Sequence, residues 1–436
     1  MLADFVIRGA APLVTCRGPV PRRGSGQRLT DPVADGTVAA RRGRIVFVGS
    51  TAGWERSGRV TDDAITLDAT GHTVLPGFVD PHTHLVFAGD RRDELRRRLA
   101  GATYAEIAAE GGGILSTVRA TREAGEDALV AGALDRLGAM LQSGTTTCEA
   151  KSGYGLATDA EIRMLRVIRR LNREQPIEIA ATFLGAHEIP PEYRDRRAAY
   201  VALVIEEMIP AVAREGLAAW CDVFCEQGVF TPGESTEILM AARRAGLGLR
   251  VHADELAASG GALVAAETGA RSADHLLHVT RDHAGLMARA GVVATLLPAA
   301  AFYLKLGRFA PARMLIDAGV PVALATDLNP GGGFSPSMPF AMALACFGMH
   351  MTLEEAIVAS TINAAYALDR HASVGSLEVG KQLDAVIVRG DAVDLLRVGA
   401  PAIRAVVKNG RVVCEGGGAI PRPGPIRAES TPTRTS

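Results

Sequence analysis

Short apolar runs alternate with amphipathic stretches through the middle of this chain, in a regular order from about residue 75 to residue 375. Eight of the runs have the length and β-branched content of buried strands: Leu75–His84, Thr145–Lys151, Ile177–His187, Asp222–Phe230, Leu247–Glu255, Ala270–Leu276, Val292–Pro298 and Pro321–Leu328. Between them the apolar period lengthens. Leu129, Leu134, Leu137 and Leu141 predict a helix over 122–142, and Ile162, Leu165 and Ile168 give a second one, over 159–172, a single apolar face. Eight strand–helix repeats predict a (β/α)8 barrel over 73–375. A doubly wound sheet would share the alternation, but no Gly-X-Gly-X-X-Gly fingerprint follows an early strand. Gly111-Gly112-Gly113 reads as a tight turn without the lysine of a phosphate loop.

The flanks read differently. Phe5-Val6-Ile7, Gly36-Thr37-Val38 and Arg44–Gly49 are short strand patterns joined by polar turns. Near the other end, Leu383–Val388 is a buried-strand pattern, and Asn409-Gly410 between two β-branched runs signals a hairpin. Residues 1–72 and 376–416 are therefore expected to fold together as one β-sandwich, with the barrel inserted between them. The Gly-, Pro- and Ser/Thr-rich stretch 417–436 predicts a disordered tail.

Composition narrows the function classes. The 436 residues carry 47 Lys and Arg against 48 Asp and Glu, and no basic stripe interleaved with aromatics appears, so nucleic acid is not an expected partner. The Arg91–Arg98 cluster is broken by Asp93 and Glu94 and reads as a charged helix face plus one special residue. Six scattered cysteines are too few for a disulfide framework, and Cys221 and Cys225 have no second pair to complete a structural zinc site. They read as small buried hydrophobes. No cationic leader with a long apolar run and no membrane-length segment is seen, so a cytoplasmic, reduced setting is expected.

The chemistry lies at the carboxyl ends of the strand patterns, where barrel enzymes keep their active sites. His82 and His84 share one strand face, because side chains alternate with period two. Of the ten histidines, His187, His252, His275 and His278 also fall at or near such ends, with Glu255 after the fifth strand and Asp327 and Asn329 after the eighth. Three imidazoles and one carboxylate (His82, His84, His252 and Asp327) would bind a divalent ion and leave a position for water, the mark of a catalytic site. Such an ion lowers the pKa of its water towards ~7, and Asp327 and Glu255 are the candidates to move its protons. The fourth strand reads Phe224-Cys225-Glu226-Gln227, with no lysine to bridge a second ion, so one metal is expected.

This ordered set, flanked by a two-ended β-sandwich, resembles the metal-dependent amidohydrolase superfamily from residue 1 to about 415. Its specific marks are Asp80–Gly89 with Arg91 beyond, Gly111–Ile114, Lys151–Gly155, Phe183–His187, His252–Glu255 and Thr326–Gly331. The resemblance implies a hydrolase acting on a small cyclic amide, 4-imidazolone-5-propanoate, opened to N-formimidoyl-L-glutamate in histidine degradation. By the same resemblance, Glu255, His275 and Asp327 handle protons, and the substrate contacts fall on Arg91, Tyr104, Tyr154, His187 and Glu255. Asn329, Gly331 and Gly332 lie near the glutamyl part of the product. One zinc or iron (Fe2+ or Fe3+) ion and a homodimer are the further expectations.

One departure is visible: Gly331-Gly332-Gly333 stands where the family often carries a small hydroxyl residue, leaving a backbone N–H as the donor at Gly332. The rival readings are a ring deaminase of the guanine or cytosine type, which would release ammonia, and a non-catalytic relative that kept only the barrel.

Overall fold

The computed structural model describes residues 1–416, except 104–105, 108–109 and 400, together with 418–419. Eight parallel strands follow chain order around a barrel: Phe78–Asp80, Thr145–Lys151, Glu178–Ala186, Trp220–Cys225, Gly248–Ala253, Ser272–His275, Val293–Leu296 and Val322–Leu324. Each pairs with the next in parallel. The eighth returns to the first just beyond their carboxyl ends. There Thr83 bridges Leu328, and the His84 N–H donates to the Leu328 carbonyl at 2.9 Å. The Thr326 hydroxyl reinforces the seam by donating to the Asp80 carboxylate at 2.5 Å.

The helices between the strands turn their apolar faces inward. In Thr158–Glu174, Leu165, Ile168 and Leu171 are fully buried against the barrel wall, which strips apolar surface from water at about 25 cal/mol per Å². The helix predicted over 122–142 is two helices, Ile114–Glu123 and Glu126–Gln142. They part at Ala124-Gly125, whose extended backbone ends one helix and N-caps the other.

Both ends of the chain build the second layer system. A four-stranded sheet contains Leu2–Ala10, Gly36–Arg41, Arg44–Ser50 and Arg59–Asp68. A seven-stranded sheet joins Leu13–Val14, Pro32–Val33 and His72–Pro76 to Ala385–Arg389, Ile403–Lys408, Arg411–Glu415 and Gly418–Ala419. Phe5, Ile7, Val38 and Ile45 from the first pack on Val74, Ile387 and Val407 from the second. The fold is thus an α/β barrel with a small β-sandwich made from both termini.

The expected first strand, Leu75–His84, is divided. His72–Pro76 pairs with Ala385–Arg389, so the terminal sheet extends past the boundary expected at 72, and only Phe78–Asp80 joins the barrel. The chain changes sheets at Gly77, where a Cβ would lie 2.3 Å from Thr146 Oγ1, so only glycine allows the crossing. Apart from Gly418–Ala419, the tail expected to be disordered from 417 lies outside the described residues.

Candidate active site

His82 and His84 lie just after the first strand rather than on it, in extended backbone held by the Thr83–Leu328 bridge. That bridge preserves the alternation, and both rings still face the barrel mouth with centroids 5.3 Å apart. His252 ends the fifth strand, and its Nε2 comes within 3.3 Å of His84 Nε2. Asp327 Oδ1 stands 3.5 Å from His82 Nε2 and 3.6 Å from His84 Nε2.

These atoms point lone pairs at one another. Among the described residues, His82 Nε2 and Asp327 Oδ1 are buried without a hydrogen-bond partner. Each such group costs about 1–3 kcal/mol in a folded protein. A cation bound between them removes that penalty at several atoms together, so the donor set fits a divalent metal.

The outer nitrogens of two of the three histidines face carboxylates. His82 Nδ1 lies 2.6 Å from Asp274 Oδ2, and His252 Nδ1 lies 3.0 Å from Asp222 Oδ2. A carboxylate can only accept, so in His82 the proton is on Nδ1 and Nε2 is left as a ligand, while at His252 the Asp222 carboxylate stands at the same nitrogen. Beneath them, Lys151 Nζ contacts Asp222 at 2.7 Å and Glu149 at 2.8 Å. Arg250 contacts Glu149 at 3.0 Å and Asp274 at 3.2 Å. All five charged side chains are fully buried in the barrel interior. Burial raises the Asp222 carboxyl, but His252 and Lys151 outweigh it and hold the group well below its ordinary range. Burial likewise lowers Lys151, and Asp222 and Glu149 more than offset it.

The pocket above this cluster is lined by Arg91, Tyr154, His187, Glu255 and His275 among others. Burial, with the Asp327 and Glu226 charges added, pushes the Glu255 carboxyl well above its usual range. Burial raises Asp327 to about 7. His275 Nδ1 lies 3.4 Å from Glu255 Oε1, and burial holds its ring well below the usual histidine range. His187 is lowered to about 3, mainly by burial and then by His252. Asp327 and His275 have positive φ, 53° and 77°, a strained backbone of the kind that concentrates at functional sites.

Arg91 is buried and bound to Glu94, with Nε to Oε2 at 2.8 Å. Its guanidinium packs so tightly on Gly331 that a Cβ there would fall 2.1 Å from Nη1. Asn329 Oδ1 accepts the N–H groups of Gly331 at 2.8 Å and Gly332 at 2.6 Å. The Gly332 N–H expected to serve a ligand is therefore already engaged inside its own loop. His278 does not join the cluster; its Nδ1 faces Arg308 at 3.3 Å. Tyr104 lies outside the described residues.

The amidohydrolase family model matches residues 73–414. An imidazolonepropionase from Symbiobacterium thermophilum is 49% identical over 417 residues, covering 95% of this chain and 98% of that protein. Another, from Alkaliphilus metalliredigens, is 46% identical over 423 residues, covering 96% of this chain and 100% of the relative. The chain belongs to the amidohydrolase family, among the imidazolonepropionases.

Solved amidohydrolase-fold structures align along the chain at much lower identity and speak to architecture alone. A zinc-bound adenosine deaminase from Xanthomonas campestris has a TM-score of 0.69 at 19% identity, covering 96% of this chain and 94% of its own. Guanine deaminase from E. coli has a TM-score of 0.65 at 16% identity, covering 94% and 99%.

The interior charges of this imidazolonepropionase-family barrel lie outside the strand-end pattern that marks the site. The signal was present: Glu149 and Lys151, Arg250 and His252, and Ser272 and Asp274 occupy every second position of otherwise apolar strands. In a barrel, that period points them all inward. Arg98 was also missed in its cluster; it is buried, and it donates to the carbonyls of Tyr303 and Gly331.

Proposed function

We propose that this enzyme hydrolyses the ring amide of 4-imidazolone-5-propanoate to N-formimidoyl-L-glutamate, a step of histidine degradation. The observation that carries this reading is the near full-length match to imidazolonepropionases, and the pocket's chemistry agrees with it.

His82, His84, His252 and Asp327 would hold one divalent ion, zinc or iron, since imidazole and carboxylate ligands suit both. When bound, such an ion supplies Lewis acidity and a water acidified to near neutrality. Glu255, kept proton-avid by its burial beside Asp327, would take a proton from the attacking water at its carboxylate and return it to the ring nitrogen as the amide C–N bond breaks. His275, next to Glu255, stabilises the charge that develops on the ring carbonyl oxygen, together with Asp327. Arg91 offers a forked, charge-assisted grip on the propanoate carboxylate. Tyr154 and His187 flank the ring, with Tyr104 as a further contact. Asn329, Gly331 and Gly332 form the wall near the glutamyl end.

We place the enzyme in the cytoplasm as a homodimer acting on a small molecule, with no nucleic-acid partner. Cys16, Cys148, Cys221, Cys225 and Cys346 are free thiols, which fits a reducing setting, and no helix among the described residues is long and apolar enough to cross a membrane.

The test incubates metal-loaded enzyme with 4-imidazolone-5-propanoate and assays ring-opened product and ammonia. Ring-opened product without ammonia is expected. Rapid ammonia release from aminated bases, with imidazolone propanoate untouched, would overturn the assignment in favour of a deaminase.

A further inference from the structure

Glu161 lies in the first turn of the helix Thr158–Glu174, yet its carboxylate is fully buried and turned back under the loop that leaves the second barrel strand. It accepts the N–H of Gly153 at 2.9 Å, of Gly155 at 2.7 Å and of Leu156 at 2.8 Å. Gly153 and Leu156 have φ of 105° and 49°, which turns successive N–H groups towards one side. The loop is thus a concave backbone nest, of the kind that binds external anions, filled here by an internal carboxylate. A Cβ on Gly155 would lie 2.6 Å from the Glu161 nitrogen, so the loop and the helix start are matched in shape as well as charge.

Two pocket residues depend on this loop. Tyr154 sits between the clamped amides, its ring 5.8 Å from that of His84 and 5.3 Å from that of His187. His187 Nδ1 lies 3.0 Å from the Gly153 carbonyl, which can only accept. The proton is therefore on Nδ1, and Nε2 carries a lone pair. A histidine in that tautomer recognises an N–H donor and repels an acceptor.

We propose that Glu161 is a positioning residue for substrate recognition: by shaping residues 153–156 it sets the place of Tyr154 and, through the Gly153 carbonyl, makes His187 an acceptor for a ring N–H. The proposal rests on the reading above in which Tyr154 and His187 touch the substrate. The hydrogen bonds that Glu161 accepts from backbone come from the loop, at Gly153, Gly155 and Leu156, and from none of His82, His84, His252 and Asp327. Removing the carboxylate disturbs ring recognition and leaves the metal in place.

The experiment compares wild type, Glu161→Gln, Glu161→Asp, the double variant Tyr154→Phe/His187→Asn, and that double variant combined with Glu161→Gln. Glu161→Gln is expected to raise KM about five- to tenfold, the scale of one or two hydrogen bonds. Its kcat should stay within about threefold and its metal content should match wild type. Glu161→Asp keeps the charge on a shorter arm and should raise KM by a smaller factor, about two- to fourfold; should Glu161→Gln fail to fold, it carries the comparison with that smaller rise, alone and in the double variant. Added to the double variant, Glu161→Gln should raise KM no further. A full additional rise there, or loss of metal with kcat, would overturn the positioning role alone. An unchanged KM in the double variant would overturn the contact reading beneath it, and the proposal with it.

Discussion

Asp274 holds His82 by its outer nitrogen at 2.6 Å, while the inner nitrogen of the same ring faces Asp327 across 3.5 Å. The carboxylate fixes the ring's tautomer before any ion arrives, and Asp222 stands 3.0 Å from the same nitrogen of His252.

Asp274→Asn and Asp222→Asn should therefore weaken metal binding about 10- to 100-fold, the range seen when a carboxylate behind a ligating histidine is lost. Competition against a chromogenic chelator reads the affinity directly. Wild-type affinity in both variants would refute the orienting role.

A second pair of substitutions separates ligand from proton carrier. His252→Ala should lose metal and hydrolysis together. Glu255→Gln should keep its metal, by elemental analysis, while kcat falls at least about 100-fold, in the range of lost general acid–base catalysis. The reverse pattern would exchange the two roles.

Arg91 and Gly331 form one contact, so they should fail alike. Arg91→Lys removes the fork, and Gly331→Ala places a methyl group where Nη1 now sits. Both should raise KM about tenfold or more with metal retained. Full activity in Arg91→Lys would count against the carboxylate grip.

Glu234 offers a pH test away from the site. Its bond with Arg197, 2.6 Å from Nε to Oε1, is the main cause that draws its carboxyl from 4.5 down to about 2. A carboxyl depressed in the folded state adds stability above its unfolded pKa, and that stability drains away as pH falls through the folded value. The stability gap between wild type and Glu234→Gln, read by urea unfolding, should thus be full at pH 7 and shrink between pH 4.5 and about 2. A gap independent of pH would exclude this linkage.

The barrel was legible because strand and helix periods alternate eight times, and the cluster of His82, His84 and His252 because its members fall at or just after strand ends. Less legible was anything set by tertiary pairing. Leu75 and Phe78 belong to different sheets, and only partner strands distant in sequence decide that. Glu94 and Glu161 sit in the first turns of charged helices, where acidic residues ordinarily meet water and complement the helix dipole. Their inward aim appears only with the loops they hold. The Gly332 N–H looked free because the sequence does not show Asn329 folding back on its own loop.

The pairing of His72–Pro76 with Ala385–Arg389 has a consequence in time. At roughly 5–20 residues per second, the ribosome needs on the order of 15–60 s to make the intervening ~300 residues. Until then the early strand has only Leu13–Val14 beside it, and its other edge stays open to whatever chain passes. Every nascent copy thus waits with a half-built sheet for its own last strands to leave the exit tunnel, and this interval, more than the finished molecule, is where chaperones would decide the yield.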